Sequence, residues 1–319
     1  MNLNAIIDPC TGEPILDFVP ATEKGGDFYV VEDGVVKGLK LVPASEIDGA
    51  VALDLVFVID TTGSMSGAID GIKQSVNQFA TFLADQNLDL RLGAIPYGDL
   101  APLVATKTQA AFQDLTEDFG KDGTAFNTFI DGLAACYLGD CGGDLPENGL
   151  DAVMYAQESF AWRGGASRVY VLITDITLHQ DADAGDTGGI TEWNVGEVVD
   201  ALRGSAVLHA VSPFYDYPQD PYGAACDLAQ GTGGSCTDFY DYKNNYVDAT
   251  TGGACPAGGY GYGCVLDLTR LSFTDTIAAG FVGVFVTADP TVAHDVRVAI
   301  IRDDECENKG ESTQSGGYE

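Results

Sequence analysis

The chain has 319 residues, and its 48 acidic and 15 basic side chains give it a formal net charge of −33 at pH 7. Such a charge repels polyanions and argues against nucleic acid as a partner. The hydrophobic fraction of 45% supports a packed core. No apolar run approaches the ~20 residues of a membrane span, so we expect no membrane insertion of this chain.

Eight cysteines, without any Cys-x-x-Cys pair, predict disulfide bonds and an oxidising compartment. We therefore expect an extracellular or cell-surface protein, where salt also screens so acidic a surface. The first residues lack the basic region and apolar core of a signal peptide, which leaves a signal removed earlier, another export route and release by lysis all open. The pairings that we consider are Cys136–Cys141, Cys236–Cys264 and Cys10–Cys306.

Short strands are predicted near both ends of the chain, at residues 28–31, 35–42 and 296–301, because β-branched and aromatic residues dominate there. Asp33 and Gly34, between the first two strands, form a hairpin signal. We interpret residues 1–52 and 287–319 as two halves of one small β domain. This domain flanks a larger domain at residues 53–286.

Apolar strand-like runs alternate with amphipathic helical segments from residue 53 onwards. The strands are predicted at residues 53–59, 89–97, 169–174 and 207–212. The helices are predicted at residues 68–84, 125–135, 147–160 and 192–203. This repeated order predicts an α/β fold with a doubly wound, mostly parallel, Rossmann-like sheet.

Residues 213–264 break this alternation and are rich in Gly, Tyr, Asp and Cys. We expect an insertion that forms a surface excursion pinned by disulfides. Its tyrosines make it our candidate for ligand specificity, with a Tyr-rich loop packed on itself as an equal alternative. Strand character resumes at residues 265–268, and a last helix is predicted at residues 273–285.

Asp60, Thr62 and Ser64 follow directly on the buried strand predicted at residues 53–59. Ligands of open α/β sheets bind at the carboxyl ends of the strands. The three side chains alternate, so their oxygens can converge, and small hard oxygen ligands suit Mg²⁺ or Ca²⁺ rather than zinc. The same residue types also form ordinary turns and helix caps, so this segment alone leaves both interpretations open.

Four more carboxylates are expected at the same edge of the sheet. Asp99 and Asp175 end further predicted strands, and Asp144 and Glu147 stand just ahead of a helix, where acids also interact favourably with the helix dipole. Unpaired anions at such short separations repel one another strongly at low effective dielectric. Bound divalent cations are the simplest compensation.

These segments together resemble a von Willebrand factor type A (VWA) domain with a metal-ion-dependent adhesion site (MIDAS). The family motif reads Asp-x-Ser/Thr-x-Ser after the first strand, with an Asp after a central strand. Gly-Asp-Leu-Pro-Glu at residues 143–147 and Leu-Ile-Thr-Asp at 172–175 are closest to the integrin β I-like domain and to bacterial proteins of the GGDxPE type. The resemblance implies Mg²⁺ or Mn²⁺ held by Asp60, Thr62, Ser64, Glu147 and Asp175.

The integrin-like branch also has a second, neighbouring cation site, where the resemblance implies Ca²⁺. The positions that match its ligands are Asp99, Asp144, the Pro146 carbonyl and Glu147. Gly142 stands where that branch has an Asn, which weakens this second site, and Gly67 and Ala68 replace the adjacent acids of a third site, which we expect to be absent. In the branch that supplies a Thr instead of a Glu, Thr124 and Thr128 are the alternatives to Glu147.

The function implied by the resemblance is cation-dependent adhesion, in which a protein or glycan ligand presents an acidic group to the metal. One alternative is a structural subunit of a surface fibre, pilus tip or phage-like particle, and another is a Mg²⁺-dependent hydrolase. The sequence has no Walker loop, no Gly-x-Ser-x-Gly elbow and no His-Glu-x-x-His motif. We interpret His179 as a polar loop residue at the rim of the site and predict that the protein is not an enzyme.

Overall fold

A six-stranded mixed sheet forms the centre of the structure, a computed structural model. It describes residues 28–37, 40–43, 51–85, 88–99, 112–121, 123–139, 141–143, 146–180, 191–214, 223–255, 263–271, 273–274, 277, 281–284, 296–300 and 311–313. The strands are, in chain order, β1 (Phe28–Glu32), β2 (Val35–Lys37), β3 (Lys40–Pro43), β4 (Val51–Asp60), β5 (Leu88–Tyr97), β6 (Gln113–Thr116), β7 (Ser167–Ile173), β8 (Val207–Ser212), β9 (Cys236–Asp238), β10 (Tyr246–Asp248), β11 (Cys264–Leu266), β12 (Phe281–Val284), β13 (Val296–Ile300) and β14 (Glu311–Thr313).

Helices cover both faces of this sheet. The α-helices are α1 (Ile69–Ala84), α2 (Ala125–Asp131), α3 (Gly149–Ser159), α4 (Val195–Leu202) and α5 (Gly223–Gly231). Short 3₁₀ turns lie at Ser64–Gly67, Tyr137–Gly139 and Leu268–Arg270. Among the described residues, no helix is both long and apolar enough to cross a membrane.

The strand order in the main sheet is β6-β5-β4-β7-β8-β9. All neighbouring pairs are parallel except β5 with the edge strand β6. This is the doubly wound 3-2-1-4-5-6 order, in which the chain reverses its direction of travel beside the first strand. The predicted α/β class with a mostly parallel sheet is therefore confirmed, and β4 lies at the switch point between β5 and β7.

Strand β4 is buried on both faces because helices pack on either side of it. Phe57 points to the layer of α1, where its ring meets Phe79 edge to face at 6.2 Å between centroids. Val56 and Val58 belong to the opposite core with α3, α4 and α5. This two-sided burial explains the continuous apolar run of the sequence, because side chains alternate between the faces of a strand and both faces here are dry.

Arginine 163 neutralises a buried carboxylate at the amino end of β4. Asp54 is fully buried, and its Oδ1 accepts a hydrogen bond from Arg163 Nε at 2.7 Å. The same guanidinium contacts Asp89 Oδ2 at 2.7 Å and donates to the backbone carbonyl of Leu53 at 3.0 Å. A buried charge needs such pairing to avoid a large desolvation penalty, so this contact fixes the loop before β7 beneath the sheet.

Small antiparallel sheets join strands from both ends of the chain, although β12 lies inside residues 53–286, which we predicted as the larger domain. Strand β1 pairs with β2 and with β13, β13 pairs with β14, and β3 pairs with β12. Asp33 and Gly34, in the turn between β1 and β2, have φ of 51° and 79°. Positive φ at both central residues defines the two-residue hairpin turn that the Asp-Gly pair predicts.

Two predictions about the later part of the chain are wrong. Residues 213–264 are not a surface excursion throughout, because they contain α5 and the sixth strand, β9, which pairs parallel with β8. Leu228, Phe239 and Tyr246 of this region are buried in the core. The last helix does not reach residue 285, because Phe281–Val284 is strand β12, paired with β3.

Three disulfides link described cysteines. The predicted bond Cys136–Cys141 is confirmed. The prediction that Cys236 pairs with Cys264 is wrong: the structure has Cys226–Cys236 and Cys255–Cys264. The reason is that α5 returns the chain to β9, which brings Cys226 beside Cys236, whereas Cys264 begins the strand next to the loop that carries Cys255. The pairing of Cys10 with Cys306 lies outside the described residues.

Candidate metal centre

Asp60, the last residue of β4, is held by neutral hydrogen-bond donors. Its Oδ1 accepts from the Thr62 amide at 2.9 Å and from Thr62 Oγ1 at 2.7 Å. Its Oδ2 accepts from Thr174 Oγ1 at 2.8 Å. Asp60, Thr62 and Thr174 are all fully buried. The turn therefore fixes the carboxylate in orientation without supplying a positive charge.

Ser64 connects this turn to the end of β7. Its Oγ donates to Asp175 Oδ1 at 2.9 Å and lies 3.0 Å from Thr62 Oγ1. Either hydroxyl can be the donor in this contact between Thr62 and Ser64. Two hydroxyl oxygens and two carboxylates thus converge on one point, which is the arrangement that hard metal ions favour.

Backbone hydrogen bonds hold Glu147 in the cluster. Its N–H donates to the Thr177 carbonyl at 3.1 Å, and its own carbonyl accepts from the His179 amide at 2.9 Å. The next amide, of Asn148, donates to the Gly98 carbonyl at 3.1 Å. The peptide thus bridges the loops that follow β5 and β7. His179, predicted at the rim, is instead fully buried against this bridge.

Two carboxylate oxygens at this edge are buried without a hydrogen bond. Glu147 is only 4% exposed. Within the described part of the chain, its Oε2 and Asp99 Oδ1 have no hydrogen-bond partner. Buried polar atoms of native proteins are almost always satisfied, and the exceptions commonly mark an ion or a water molecule. Both oxygens are therefore suited to receive a cation.

The raised pKa values of the cluster agree with buried carboxyl groups that no cationic side chain compensates. Burial raises the pKa of Asp60 to about 7, and the charge of Asp175 adds to this effect, against hydrogen bonds from Thr62. Burial also raises the pKa of Glu147 to about 10, together with the close approach of the Asp99 carboxylate and the charges of Asp60 and Asp99. The pKa of Asp175 is raised by burial as well. The ion pairs observed between described residues involve none of these four acids.

The donor set fits a hard divalent cation that is bound through both hydroxyls and carboxylates. In the described part of the chain, no three His, Cys, Asp or Glu side chains form a metal-binding group by themselves. A cation at this edge therefore depends on the hydroxyl oxygens of Thr62 and Ser64. Oxygen ligands of this kind suit Mg²⁺, Mn²⁺ and Ca²⁺.

The remaining predicted ligands divide into two groups. Thr124 precedes α2, and its hydroxyl is occupied by the Lys121 carbonyl at 2.8 Å and Asn127 Oδ1 at 2.7 Å, while Thr128 is exposed on α2. The contacts of Thr124 thus hold it in its own loop. Of the second predicted site, Asp99 lies beside Glu147 and Pro146 is half-buried, whereas Asp144 lies outside the described residues.

Thr174, which the sequence analysis did not assign, and Tyr240, one of the tyrosines predicted for specificity, also contact the cluster. Thr174 binds Asp60 Oδ2, as described above, and its position directly before Asp175 was the available signal. Tyr240 donates its hydroxyl to the Asp175 carbonyl at 3.3 Å. Its ring meets that of Tyr242 edge to face, with 5.9 Å between centroids. Tyr240 lies just after β9, and its approach to β7 depends on β9 joining the sheet.

The fold and the cluster define this protein as a doubly wound α/β domain with an acidic, hydroxyl-rich site at the carboxyl edge of its sheet. No family model matches the chain. Among curated proteins it is similar to the alpha-protein kinase vwkA of Dictyostelium discoideum, with 32% identity over 145 residues. That match covers 44% of this chain and 20% of the relative, so the chain spans about a fifth of the length of the relative.

Similar solved structures include proximal thread matrix protein 1 from the mussel byssus, with a zinc-occupied MIDAS motif (15% identity, 64% of this chain, 45% of that chain, TM-score 0.39). The pilus adhesin SpaC from Lactobacillus rhamnosus GG is another (13% identity, 72% and 34%, TM-score 0.41). A third is the conserved hypothetical protein BatB from Bacteroides thetaiotaomicron (15% identity, 58% and 89%, TM-score 0.35).

Proposed function

We propose that this chain carries a VWA-type domain that binds its ligand through a divalent cation. Mg²⁺ or Mn²⁺ is held at a MIDAS-type site by Asp60, Thr62, Ser64, Glu147 and Asp175. The observation that carries the proposal is the convergence of buried, uncompensated carboxylates with two hydroxyl oxygens that face each other 3.0 Å apart. The integrin-like motif at residues 142–147 supports the assignment of Glu147 rather than Thr124 or Thr128.

A cation at this edge supplies a concentrated positive charge, and a partner's acidic group completes its coordination. The chain's own residues prepare for that contact. Thr174 and Thr62 fix the orientation of Asp60, and Asp60, Thr62 and Glu147 are buried, whereas Ser64 is exposed and leaves one side of the site open to a partner. The partner is a protein or glycan that presents a carboxylate. The disulfides support an extracellular or cell-surface location.

A second cation, Ca²⁺, is proposed beside the first, with ligands from Asp99, Asp144, the Pro146 carbonyl and Glu147. The buried Asp99 Oδ1, which has no hydrogen bond within the described part of the chain, supports this site. The shared Glu147 couples the two cations. Occupancy of the second site is then expected to strengthen binding at the first.

The first experiment measures cation binding directly. Protein stripped with EDTA is titrated with Mg²⁺, Mn²⁺, Ca²⁺ and Zn²⁺ by isothermal titration calorimetry. Asp60→Asn keeps the shape of the side chain and removes its charge, so we expect it to lose Mg²⁺ and Mn²⁺ binding. Asp70→Asn, which removes an exposed charge on α1, is the matched control and should bind as the unmodified protein does. Equal binding by both variants would refute the site.

A second experiment tests the open coordination position. The probe is Mn²⁺ bound to the protein, observed through the relaxation rate of solvent water protons. Acetate should displace metal-bound water and lower that relaxation rate, whereas the uncharged analogue acetamide should not. If acetate and acetamide act alike, the proposed recognition of an acidic group is wrong.

An assembly subunit of a fibre, pilus tip or phage-like particle is the alternative for the same site, with a second subunit as the acid-bearing partner. Light scattering of the purified protein with Mg²⁺ and with EDTA separates the two, because an assembly role requires cation-dependent association of identical chains.

We propose that the domain is not an enzyme, and a cation-dependent hydrolysis that is lost in Asp60→Asn would contradict this.

A further inference from the structure

The loop closed by the Cys136–Cys141 disulfide lies directly against the first segment of the metal centre. We call residues 136–139 and 141–143 the clasp. The Cys136 amide donates to the Thr61 carbonyl at 2.7 Å, and the Gly63 amide donates to the Cys141 carbonyl at 2.8 Å. These two bonds hold the backbone on both sides of Thr62. Each cysteine of one disulfide therefore anchors one side of a proposed cation ligand.

The clasp also contacts the opposite side of the site. A Cβ on Gly142 would lie 2.7 Å from Glu147 Oε1, and a Cβ on Gly143 would lie 2.8 Å from Asp99 Oδ2. Contacts that close do not occur for real side chains, so the two carboxylates pack directly on the backbone of the clasp. Gly142 has a φ of 77°, a conformation that disfavours any other residue.

One short segment thus touches the two halves of the centre, which come from distant parts of the sequence. The ring closed by the disulfide ends at Cys141, directly before the two glycines that pack on the carboxylates of Glu147 and Asp99. Without the covalent closure, the glycine-rich backbone at residues 142 and 143 gains freedom. We expect this added backbone freedom to disturb the orientations of both Thr62 and Glu147.

We propose that the clasp is the positioning element of the cation site, and that opening its ring weakens cation binding while the rest of the fold persists. Cys136, Cys141 and Gly142 are positioning residues in this proposal, since none of them needs to touch the metal. The inference rests on the proposed cation-binding function and adds to it the part of the chain that sets the affinity.

The disulfide is tested by comparing two paired substitutions. Cys136→Ser with Cys141→Ser opens the clasp, and Cys255→Ser with Cys264→Ser opens a disulfide near β10 and β11 as the control. The dissociation constants for Mn²⁺ and Mg²⁺ are measured by calorimetry well below the melting temperature of each variant. We expect at least a tenfold weaker affinity for the clasp variant and less than a twofold change for the control, although both lose thermal stability.

Two glycine substitutions separate positioning from stability. Gly142 and Gly165 both have positive φ, of 77° and 79°, so replacement by alanine strains the backbone similarly. Only Gly142→Ala places a Cβ against Glu147, because a Cβ on Gly165, which lies outside the clasp, meets nothing within 4 Å. We expect Gly142→Ala to weaken Mn²⁺ binding about tenfold and to change the EPR spectrum of bound Mn²⁺. Gly165→Ala should keep the affinity and the spectrum while it loses similar stability.

The outcomes distinguish the two proposals. If the unmodified protein binds no divalent cation, the proposed function fails and the clasp has no site to position. If the unmodified protein binds a cation, unchanged affinity in Gly142→Ala or in the folded clasp variant overturns the role of the clasp alone. Equal losses of affinity in Gly142→Ala and Gly165→Ala also overturn it, because general strain would then be the cause.

Discussion

Two fully buried aspartates lie at opposite ends of β4, and their carboxylates have different kinds of partner. Asp54, at the amino end, is held by Arg163 at 2.7 Å, a guanidinium that also binds Asp89. Asp60, at the carboxyl end, receives hydrogen bonds from the amide and hydroxyl of Thr62 and from the hydroxyl of Thr174. The Asp54 carboxylate is paired with a cationic side chain of the protein, whereas the Asp60 carboxylate contacts only neutral hydrogen-bond donors.

Under the proposed function, the difference separates a structural charge from one that serves cation binding. At the Asp54 end the compensating arginine is part of the fold, so nothing further has to bind. At the Asp60 end, Asp175 and Glu147 add further carboxyl groups and no cationic side chain. A site of this kind remains electrostatically incomplete until a cation from solution joins it.

The largest effect is expected at the structural end. Arg163→Met keeps much of the side chain's volume and leaves Asp54 as an unpaired buried charge, which costs about 3–5 kcal/mol of stability. Urea denaturation measures this loss. Calorimetry should show unchanged Mg²⁺ affinity at a temperature where the variant is folded. A loss of Mg²⁺ binding by folded Arg163→Met would show that the two ends are not independent.

A double variant provides the control. Asp54→Asn combined with Arg163→Met removes both charges, and we expect it to recover part of the lost stability because no unpaired charge remains. Additive losses in the double variant would mean that Asp54 and Arg163 act separately.

The second effect is stabilisation by the cation at the functional end. A ligand at 100 times its dissociation constant stabilises the native state by about 2.7 kcal/mol. We expect this increment in urea denaturation when Mg²⁺ replaces EDTA. Asp60→Asn should abolish the increment and should be at least as stable as the unmodified protein in EDTA at pH 8. An undiminished increment in Asp60→Asn would contradict the assignment.

The third effect is a dependence of stability on pH, with a defined sign. The pKa values of Asp60 and Glu147, ordinarily 3.8 and 4.5, are raised to about 7 and about 10 in the folded protein. The native state therefore binds more protons than the unfolded state, and its free energy of unfolding falls as pH rises from about 4 through 7 and on towards 10. Each group contributes at most about 1.4 kcal/mol per pH unit.

Cation binding is expected to oppose this fall. Because a bound divalent cation favours the ionised carboxylates, denaturation in saturating Mg²⁺ should depend less on pH, and Mg²⁺ affinity should rise between pH 5 and pH 8. Denaturation series in EDTA and in Mg²⁺ measure both. An apo protein that gains stability from pH 5 to pH 8 would contradict the electrostatic picture of the Asp60 end.

The smallest effect concerns the alternative ligands. Thr124→Ala loses the hydroxyl contacts to Lys121 and Asn127 and should cost about 1 kcal/mol of stability. Thr128→Ala, at an exposed helical position, should cost less than that. Neither should alter Mg²⁺ affinity, in contrast to Glu147→Gln. Weaker Mg²⁺ binding in Thr124→Ala would instead place this centre in the branch that uses a Thr.

Much of the sheet was predictable because its signals are local. The run at residues 53–59 is apolar without interruption, and a strand buried on both faces has that pattern. Asp60 and Asp175 were found because parallel strands bring their carboxyl ends to one edge. Their mutual arrangement through Ser64 is a tertiary contact, and the spacing of the sequence alone does not specify it.

The predictions failed where the amino-acid composition gives a weak signal of secondary structure. Residues 223–231 consist largely of Gly and Ala with few large apolar side chains, so helix α5 has a weak periodic signal, and the many glycines and tyrosines around it suggested a loop. The pairing of Cys226 with Cys236 followed from that helix and was therefore missed too. The sequence of Phe281–Val284 does not by itself distinguish helix from strand. Pairing with β3 determines that it forms a strand.

The position of the Glu147 peptide allows ion binding at this site to be used to count correctly folded molecules. It joins the loop after β5 to the loop after β7, and the residues around it come from positions between 60 and 179. These segments meet only when the central strands are registered side by side. A paramagnetic or luminescent ion bound here therefore reports correctly assembled chains, and its signal titrates the folded fraction of a preparation instead of its total protein.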